Sequence, residues 1–268
     1  MEQKTIIDRF RLDGKKAFVT GATGFIGYHT AEAFAQAGAA VAVVDLPGKL
    51  DRAREIADEF KKKYGVDTLA YGVDVTDEEG VEKMCGYIAG QFGTIDIVHN
   101  NAGIGGSPVP DIDVDYRWWK HVIDVNLGGI YLTARAAARI MIRDGHGGSI
   151  VNTASMCANI VNAAPLGETF DNSAYSVSKA GVKHFTRHFA TQMIPYGIRV
   201  NCVSPGYILS EMHKDMPKEV TDFFAKSSPC RRTGNVDEIP GAVLYLASDA
   251  STFCVGTEII VDGGHVCY

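Results

Sequence analysis

Short apolar, β-branched runs recur along the chain at 17–20, 41–44, 69–73, 95–98, 149–152, 198–203 and 258–261, each bounded by Gly, Asp, Asn or Pro. Most are apolar at consecutive rather than alternating positions, the pattern of strands covered on both faces in a parallel sheet. Between them, 28–37, 51–64, 77–92, 127–143 and 174–196 carry apolar residues at three- and four-residue spacing, which predicts amphipathic helices. This alternation implies right-handed βαβ units and an α/β architecture: a doubly wound, parallel, seven-stranded sheet with ligands at the carboxyl ends of its strands. With no repeat, low-complexity tract or linker in the sequence, a single domain over 1–268 is expected. Two segments break the alternation. The stretch 156–173 is polar, with Asn159, Asn162, Glu168, Asp171 and Asn172, and 207–236 sets Met212, Met216, Phe223 and Phe224 among charges. Long loops in compact domains tend to be functional.

Composition narrows the class of partner. A chain of 268 residues, 46% hydrophobic and 22% charged, can bury a full core. Its net charge of -6 and pI near 5.7, with no basic run longer than Lys61-Lys62-Lys63, give no footprint for a nucleic acid or an anionic membrane. A small-molecule substrate is expected instead. The cysteines form no C-x-x-C pair and read as reduced, structural thiols. The N-terminus lacks the apolar core of a secretory signal, and no segment reaches the roughly 18 apolar residues of a membrane span. A cytoplasmic location follows as the expectation.

The first run leads directly into Thr20-Gly21-Ala22-Thr23-Gly24-Phe25-Ile26-Gly27 and then a helix. Glycines there allow a tight turn and close approach of the backbone to a pyrophosphate, with free N–H groups at the helix N-terminus facing the anion. The second run closes at Asp45-Leu46, about twenty residues beyond the glycines, where an acid accepts from the adenosine ribose hydroxyls and repels a 2′-phosphate. That favours NAD over NADP, within a dinucleotide-binding Rossmann fold. Asp74-Val75 closes the third run and Asn100-Asn101-Ala102-Gly103 the fourth; Asp74 is placed to accept from an adenine amino group.

Tyr175 and Lys179 share a face of a predicted helix. A phenol with pKa near 10 is a poor base at neutral pH, but an adjacent ammonium favours its phenolate. By themselves, Tyr175 and Lys179 read as an exposed pair on a helix. With Gly21, Gly24, Gly27, Asp74, Asn100 to Gly103, Asn126, Ser155, Tyr175-Ser176-Val177-Ser178-Lys179, Pro205-Gly206 and Val261-Asp262-Gly263-Gly264, the chain resembles the compact, single-domain branch of the short-chain dehydrogenases/reductases. The resemblance instead makes Tyr175 the group that takes a proton from a substrate hydroxyl and Ser155, at a strand end, the group that holds the reacting oxygen. It implies that Lys179 also binds the nicotinamide ribose and that Asn126 positions a water between Lys179 and solvent. It also places Ile208 and Ser210, after Pro205-Gly206, near the nicotinamide carboxamide, makes 207–236 a substrate lid, and implies a homotetramer with contacts through the 174–196 helix and the last strand.

Two departures from the family pattern stand out. The middle glycine is Gly24, where compact members place it at the position held here by Phe25; that spacing resembles the extended branch, but no room remains for its C-terminal sugar-nucleotide domain. The distance from Ser155 to Tyr175 is also longer than usual, which sets Asn159, Glu168 or Asn172 beside the expected site mouth. His184 and His188 lack the glutamate and third ligand of a zinc site, so no metal is expected. The terminal segments look most like polyol and ketose members such as sorbose reductase, mannitol dehydrogenase and gluconate dehydrogenase. The expected activity is therefore NAD-dependent interconversion of a secondary alcohol and a ketone on a sugar alcohol, ketose or sugar acid. A 3-oxoacyl or steroid-type reductase, and an isomerase or lyase using bound NAD transiently, are the alternatives.

Overall fold

A computed structural model describes residues 5–105, 111–161, 173–209 and 217–267. Seven strands, β1 (Lys16–Thr20), β2 (Ala40–Asp45), β3 (Thr68–Gly72), β4 (Ile97–Asn100), β5 (Gly148–Thr153), β6 (Ile198–Pro205) and β9 (Glu258–Val261), form one parallel sheet in the order β3-β2-β1-β4-β5-β6-β9. Two-residue strands β7 (Ile208–Leu209) and β8 (Gly234–Asn235) pair separately. All seven expected strands are present. The expected 95–98 run begins and ends two residues early, because His99 and Asn100, though polar, continue β4. All six residues of β2 are buried, which explains its unbroken apolar run.

Helices α1 (Phe25–Gln36), α2 (Leu50–Tyr64) and α8 (Pro240–Ala247) cover one face, closing a core around Val19, Phe34, Ile56, Phe60, Val243 and Leu246. On the other face α3 (Glu78–Phe92), α5 (Gly129–Asp144) and α6 (Ser173–Met193) enclose Phe18, Met84, Ile88, Val98, Met141 and Phe189. Short α4 (Tyr116–Ile123) and a π-turn, Asp124–Gly128, lead into α5, and α7 (Lys218–Ser227) lies in the 207–236 excursion. The apolar stripe expected on α6 is largely internal: Val182 and Phe189 are core residues.

Beside the point where strand order reverses, between β1 and β4, a buried polar chain crosses the sheet. The Thr133 hydroxyl on α5 donates to Asn100 Oδ1 (2.6 Å), Asn100 Nδ2 to Asn152 Oδ1 (2.9 Å), and Asn152 Nδ2 to Thr186 Oγ1 on α6 (2.9 Å). Each of the four side chains is thus paired, as burial of polar groups requires. The chain ties α6 to the central strands, and α6 carries Tyr175 and Lys179.

Candidate active site

The carboxyl ends of the strands from β3 to β6 open on one cleft of about 670 Å³. In sheet order it is lined by Asp74 and Val75 after β3, Asp45 and Leu46 at β2, Gly21, Gly24, Phe25 and Ile26 after β1, Asn101, Ala102 and Gly103 after β4, Ser155 after β5, and Pro205, Gly206 and Ile208 at β6. Tyr175 and Lys179 close it from α6. Of the remaining expected residues, Thr23, Gly27 and Asn126 support the cleft from behind, and Ser210 lies outside the described residues.

The turn after β1 is built on two close approaches. Gly21 has φ +63°, and a Cβ there would sit 2.9 Å from Ala102 Cα; at Gly27 a Cβ would fall 2.2 Å from Gly21 O. Gly24, at φ −84°, is the N-cap of α1, so the shifted middle glycine opens the helix instead of meeting a positive-φ requirement. The cap supplies no side-chain acceptor, and Gly24, Phe25 and Ile26, at the helix end whose first N–H groups no helix satisfies internally, line the cleft. Asn101 fastens this turn to β4: its Nδ2 donates to Thr20 O (3.2 Å) and Gly21 O (3.3 Å), while its own N–H donates to Thr20 Oγ1 (3.0 Å).

Asp45 is only 6% exposed and already engaged. Its Oδ2 accepts from the Thr23 N–H (2.9 Å) and hydroxyl (2.7 Å), its Oδ1 from the Leu46 N–H (2.8 Å), and Lys49 Nζ lies 3.9 Å away. One acid therefore braces the turn after β1 while lining the end of the cleft away from Tyr175. Asp74 is exposed, with Oδ1 accepting from the Thr76 N–H and hydroxyl.

At the opposite end, Ser155 follows β5 and its Oγ accepts from the Cys157 N–H at 3.2 Å. Tyr175 is half-buried, and Lys179 Nζ stands 5.6 Å from its ring centroid. Lys179 donates to Thr153 O at 2.8 Å and has no carboxylate partner among the described residues; burial pushes its ammonium down to about 8. Asn126 sits in the π-turn with its amide fully buried, donating to Ile104 O (3.0 Å) and Ser178 Oγ (3.1 Å) and accepting from Ile104 N–H (2.8 Å). A Cβ on Gly103 would lie 3.2 Å from Asn126 Oδ1, a tight approach, and at ordinary contact distance, 3.6 Å, from Lys179 Nζ, so the amide and the ammonium flank the same strand-end backbone.

Several lining residues escape the sequence reading, Lys49, His121 and Thr153 among them, while Tyr207 and Phe224 come from the 207–236 segment expected as a lid. Tyr207 stacks on Phe224 (4.0 Å between centroids) and meets His265 edge-on (5.3 Å). Thr153 alone carried a positional signal, since it precedes Ser155 by two residues at a strand end. Asn159, expected near the mouth, does not line the cleft; it donates to Glu258 (2.8 Å) and accepts from Lys183, because the buried Glu258 carboxylate draws both toward β9. Glu168 and Asn172 lie outside the described residues. Among the six cysteines, burial pushes the Cys85 and Cys202 thiols up to about 12, so neither is a ready nucleophile. No helix of the described residues is long and apolar enough to cross a membrane.

The family model described as enoyl-(acyl carrier protein) reductase matches residues 21–265. Sorbose reductase SOU1 of Candida albicans is 40% identical over 263 residues, spanning 98% of this chain and 90% of that protein. A probable NADP-dependent mannitol dehydrogenase of Yarrowia lipolytica is 40% identical over 98% of this chain and 92% of its own length. The crystal structure of a short-chain type dehydrogenase/reductase from Mycobacterium marinum superposes with a TM-score of 0.91 at 39% identity, covering 98% of this chain and 100% of that one. The fold, the cleft and these likenesses agree: the chain belongs to the short-chain dehydrogenase/reductase family, nicotinamide-dependent enzymes that act on CH–OH groups.

Proposed function

We propose that this enzyme interconverts a secondary alcohol and a ketone on a sugar alcohol, ketose or sugar acid, with NAD as its cofactor. The observation that carries the reading is the convergence of Ser155, Tyr175 and a buried Lys179, without a carboxylate partner among the described residues, on one end of a cleft whose other end is lined by Asp45. The cleft fits a dinucleotide: the glycine turn admits no Cβ at Gly21 or Gly27, and the uncapped first turn of α1 offers N–H groups to a pyrophosphate. Gly21, Thr23, Gly24, Phe25, Ile26 and Gly27 would hold the phosphates, and Asp45 and Leu46 the adenosine ribose. Asp74, Val75, Asn101, Ala102 and Gly103 would flank the adenine and the central linkage, and Pro205, Gly206, Ile208 and Ser210 the carboxamide. The bound nicotinamide supplies or accepts a hydride.

Ser155 donates to the reacting oxygen, and Tyr175 exchanges the proton at that oxygen. Lys179 sits close enough to favour the phenolate and remains largely charged at neutral pH, with donors left over for the ribose hydroxyls. Asn126 holds the backbone at Ile104, and so Gly103, against Lys179, and this loop is where a water linking the ammonium to solvent would be placed. NAD is supported by the Asp45 carboxylate, which opposes a 2′-phosphate. The polyol class is supported by the sorbose and mannitol activities in the relatives' names.

The 207–236 segment serves as the lid of a single-domain enzyme: β7 and β8 pair where it leaves and returns, and Phe224 on α7 lines the cleft. Exposed Phe253, Val255 and Ile260, near or on the edge strand β9, support assembly into a homotetramer. A screen of polyols, sugar acids, secondary alcohols and 3-oxoacyl thioesters with NAD and NADP, following reduced-cofactor absorbance, tests the reading. Turnover of a polyol or sugar acid, lost in Tyr175→Phe, is expected. No turnover, or full activity in Tyr175→Phe, would overturn the mechanism; a preference for NADP would overturn the role of Asp45 alone.

A further inference from the structure

His99 is an imidazole that the chemistry above does not use. It lies on β4 between Val19 of β1 and Val151 of β5, with no exposed surface. Its Nε2 is 2.9 Å from Thr153 Oγ1, and its Nδ1 is buried with no hydrogen-bond partner among the described residues. Thr153 is the residue whose carbonyl oxygen accepts from Lys179 Nζ. Two polar side chains thus meet in a position flanked by valines, where two apolar side chains would pack without the cost of burying a hydroxyl and a ring nitrogen.

An orphaned buried N–H is rarer than an orphaned acceptor, so the proton belongs on Nε2, which donates to the Thr153 hydroxyl and leaves Nδ1 bare. Burial, followed by the neighbouring Lys179 charge, pushes the imidazole down to about 3, so it is neutral at any working pH. The titratable groups around Lys179 are Tyr175 on its own helix, His99 from β4 and Cys157 from the turn after β5; Asn126 and Thr153 face it as neutral groups.

We propose that His99 is a positioning residue for the Tyr175–Lys179 pair: by holding the Thr153 side chain, it holds the strand-end carbonyl that anchors the Lys179 ammonium. The inference rests on the proton-transfer role given to Tyr175 and Lys179. Without the anchor the ammonium is less well stabilised and less well placed, the phenolate loses support, and alcohol oxidation needs a higher pH.

The test compares His99→Val, His99→Gln, Thr153→Val and the His99→Val/Thr153→Val pair, each confirmed as folded by circular dichroism. In His99→Val, kcat for oxidation falls about fivefold, the effect of one ordinary hydrogen bond. The acid limb of its pH profile moves up by about half a pH unit. Gln places an amide near Nε2 and restores the limb. Thr153→Val moves the limb as His99→Val does, and the double variant adds nothing further, the mark of a shared pathway. In cofactor-free wild type, ring-nitrogen NMR shifts assigned with His99→Val show Nε2 protonated and Nδ1 bare, unchanged between about pH 5 and 9, a window well above the depressed value. An unmoved limb in a folded, active His99→Val or Thr153→Val, or an imidazole that titrates near its ordinary value, overturns the proposal. Absence of activity in wild type overturns the proton-transfer reading instead, and the NMR result then decides the His99–Thr153 contact by itself.

Discussion

Lys179→Met makes a demanding test, because the buried charge predicts a protein that is more stable while the proposed role of Lys179 predicts one that is inactive. The ammonium is fully buried, pairs with no carboxylate among the described residues and donates to one carbonyl. Its fall from 10.5 to about 8 is caused by desolvation. At about 1.4 kcal/mol for each pH unit, this charge destabilises the fold by about 3 kcal/mol near neutrality. Methionine is unbranched and of similar reach, so it removes that cost while leaving Thr153 O without its partner, a loss of about 1–2 kcal/mol. The expected net gain is about 1–2 kcal/mol at pH 7. Its pH dependence carries the sign. The folded-state value lies below the unfolded one, so the penalty is complete below about pH 8 and disappears as pH rises toward 10.5. Urea unfolding of both proteins at pH 7, 8 and 9 measures the difference, which should shrink across the series while turnover stays abolished. If Lys179→Met is less stable than wild type at pH 7, or the gap does not change with pH, the account of a desolvated lysine is wrong.

With the proposed NAD role of Asp45, Asp45→Ala should weaken NAD binding, and from the structure it should also loosen the turn after β1, because Thr23 loses the acceptor for its N–H and hydroxyl. Calorimetry with NAD, together with a stability loss of about 1–3 kcal/mol in urea, measures both effects; unchanged stability would mean that Asp45 is not the brace described. Asn152→Leu should cost about 2–4 kcal/mol, since it strands the Asn100 amide and leaves an apolar branch against Thr186. The midpoint of thermal unfolding reports it, and a near-neutral change would refute the pairing.

The strands were legible because a parallel sheet buries both faces, and such strands announce themselves as apolar runs even without alternation. β4 shows the limit. His99 and Asn100 are polar yet buried, since Thr153 and the Asn100–Asn152 pairing satisfy them, and no pattern of one chain reveals a partner on the next strand. α4 went unrecognised because it spans only eight residues, about two turns, too short a window for an apolar period to stand out among Arg117, Lys120 and His121. α8 went unrecognised for the opposite reason: Val243, Leu244, Leu246 and Ala247 leave it apolar around much of its circumference. The glycine turn, Asp45, Ser155, Tyr175 and Lys179, which the structure brings to one cleft, were singled out by residue type at strand and helix ends together with the family resemblance. Lys49 and His121 reach the cleft from the turn after β2 and from α4, placements that spacing along the chain does not encode. Asn159 was misplaced for a related reason, as only the folded arrangement sets Glu258 beside Lys183.

The polar chain from Thr133 through Asn100 and Asn152 to Thr186 also acts on what the chain cannot become. Parallel strands of alternating small and β-branched residues can slide past one another at little cost, and a slip of one residue would turn every side chain to the opposite face. Here such a slip between β4 and β5 would drive two carboxamides into aliphatic surroundings with no partner for either. The register is therefore enforced by penalty as well as by fit. The pair of asparagines that fixes the register of β4 against β5 is thus also one of the anchors of α6, the helix that brings Tyr175 and Lys179 to the cleft.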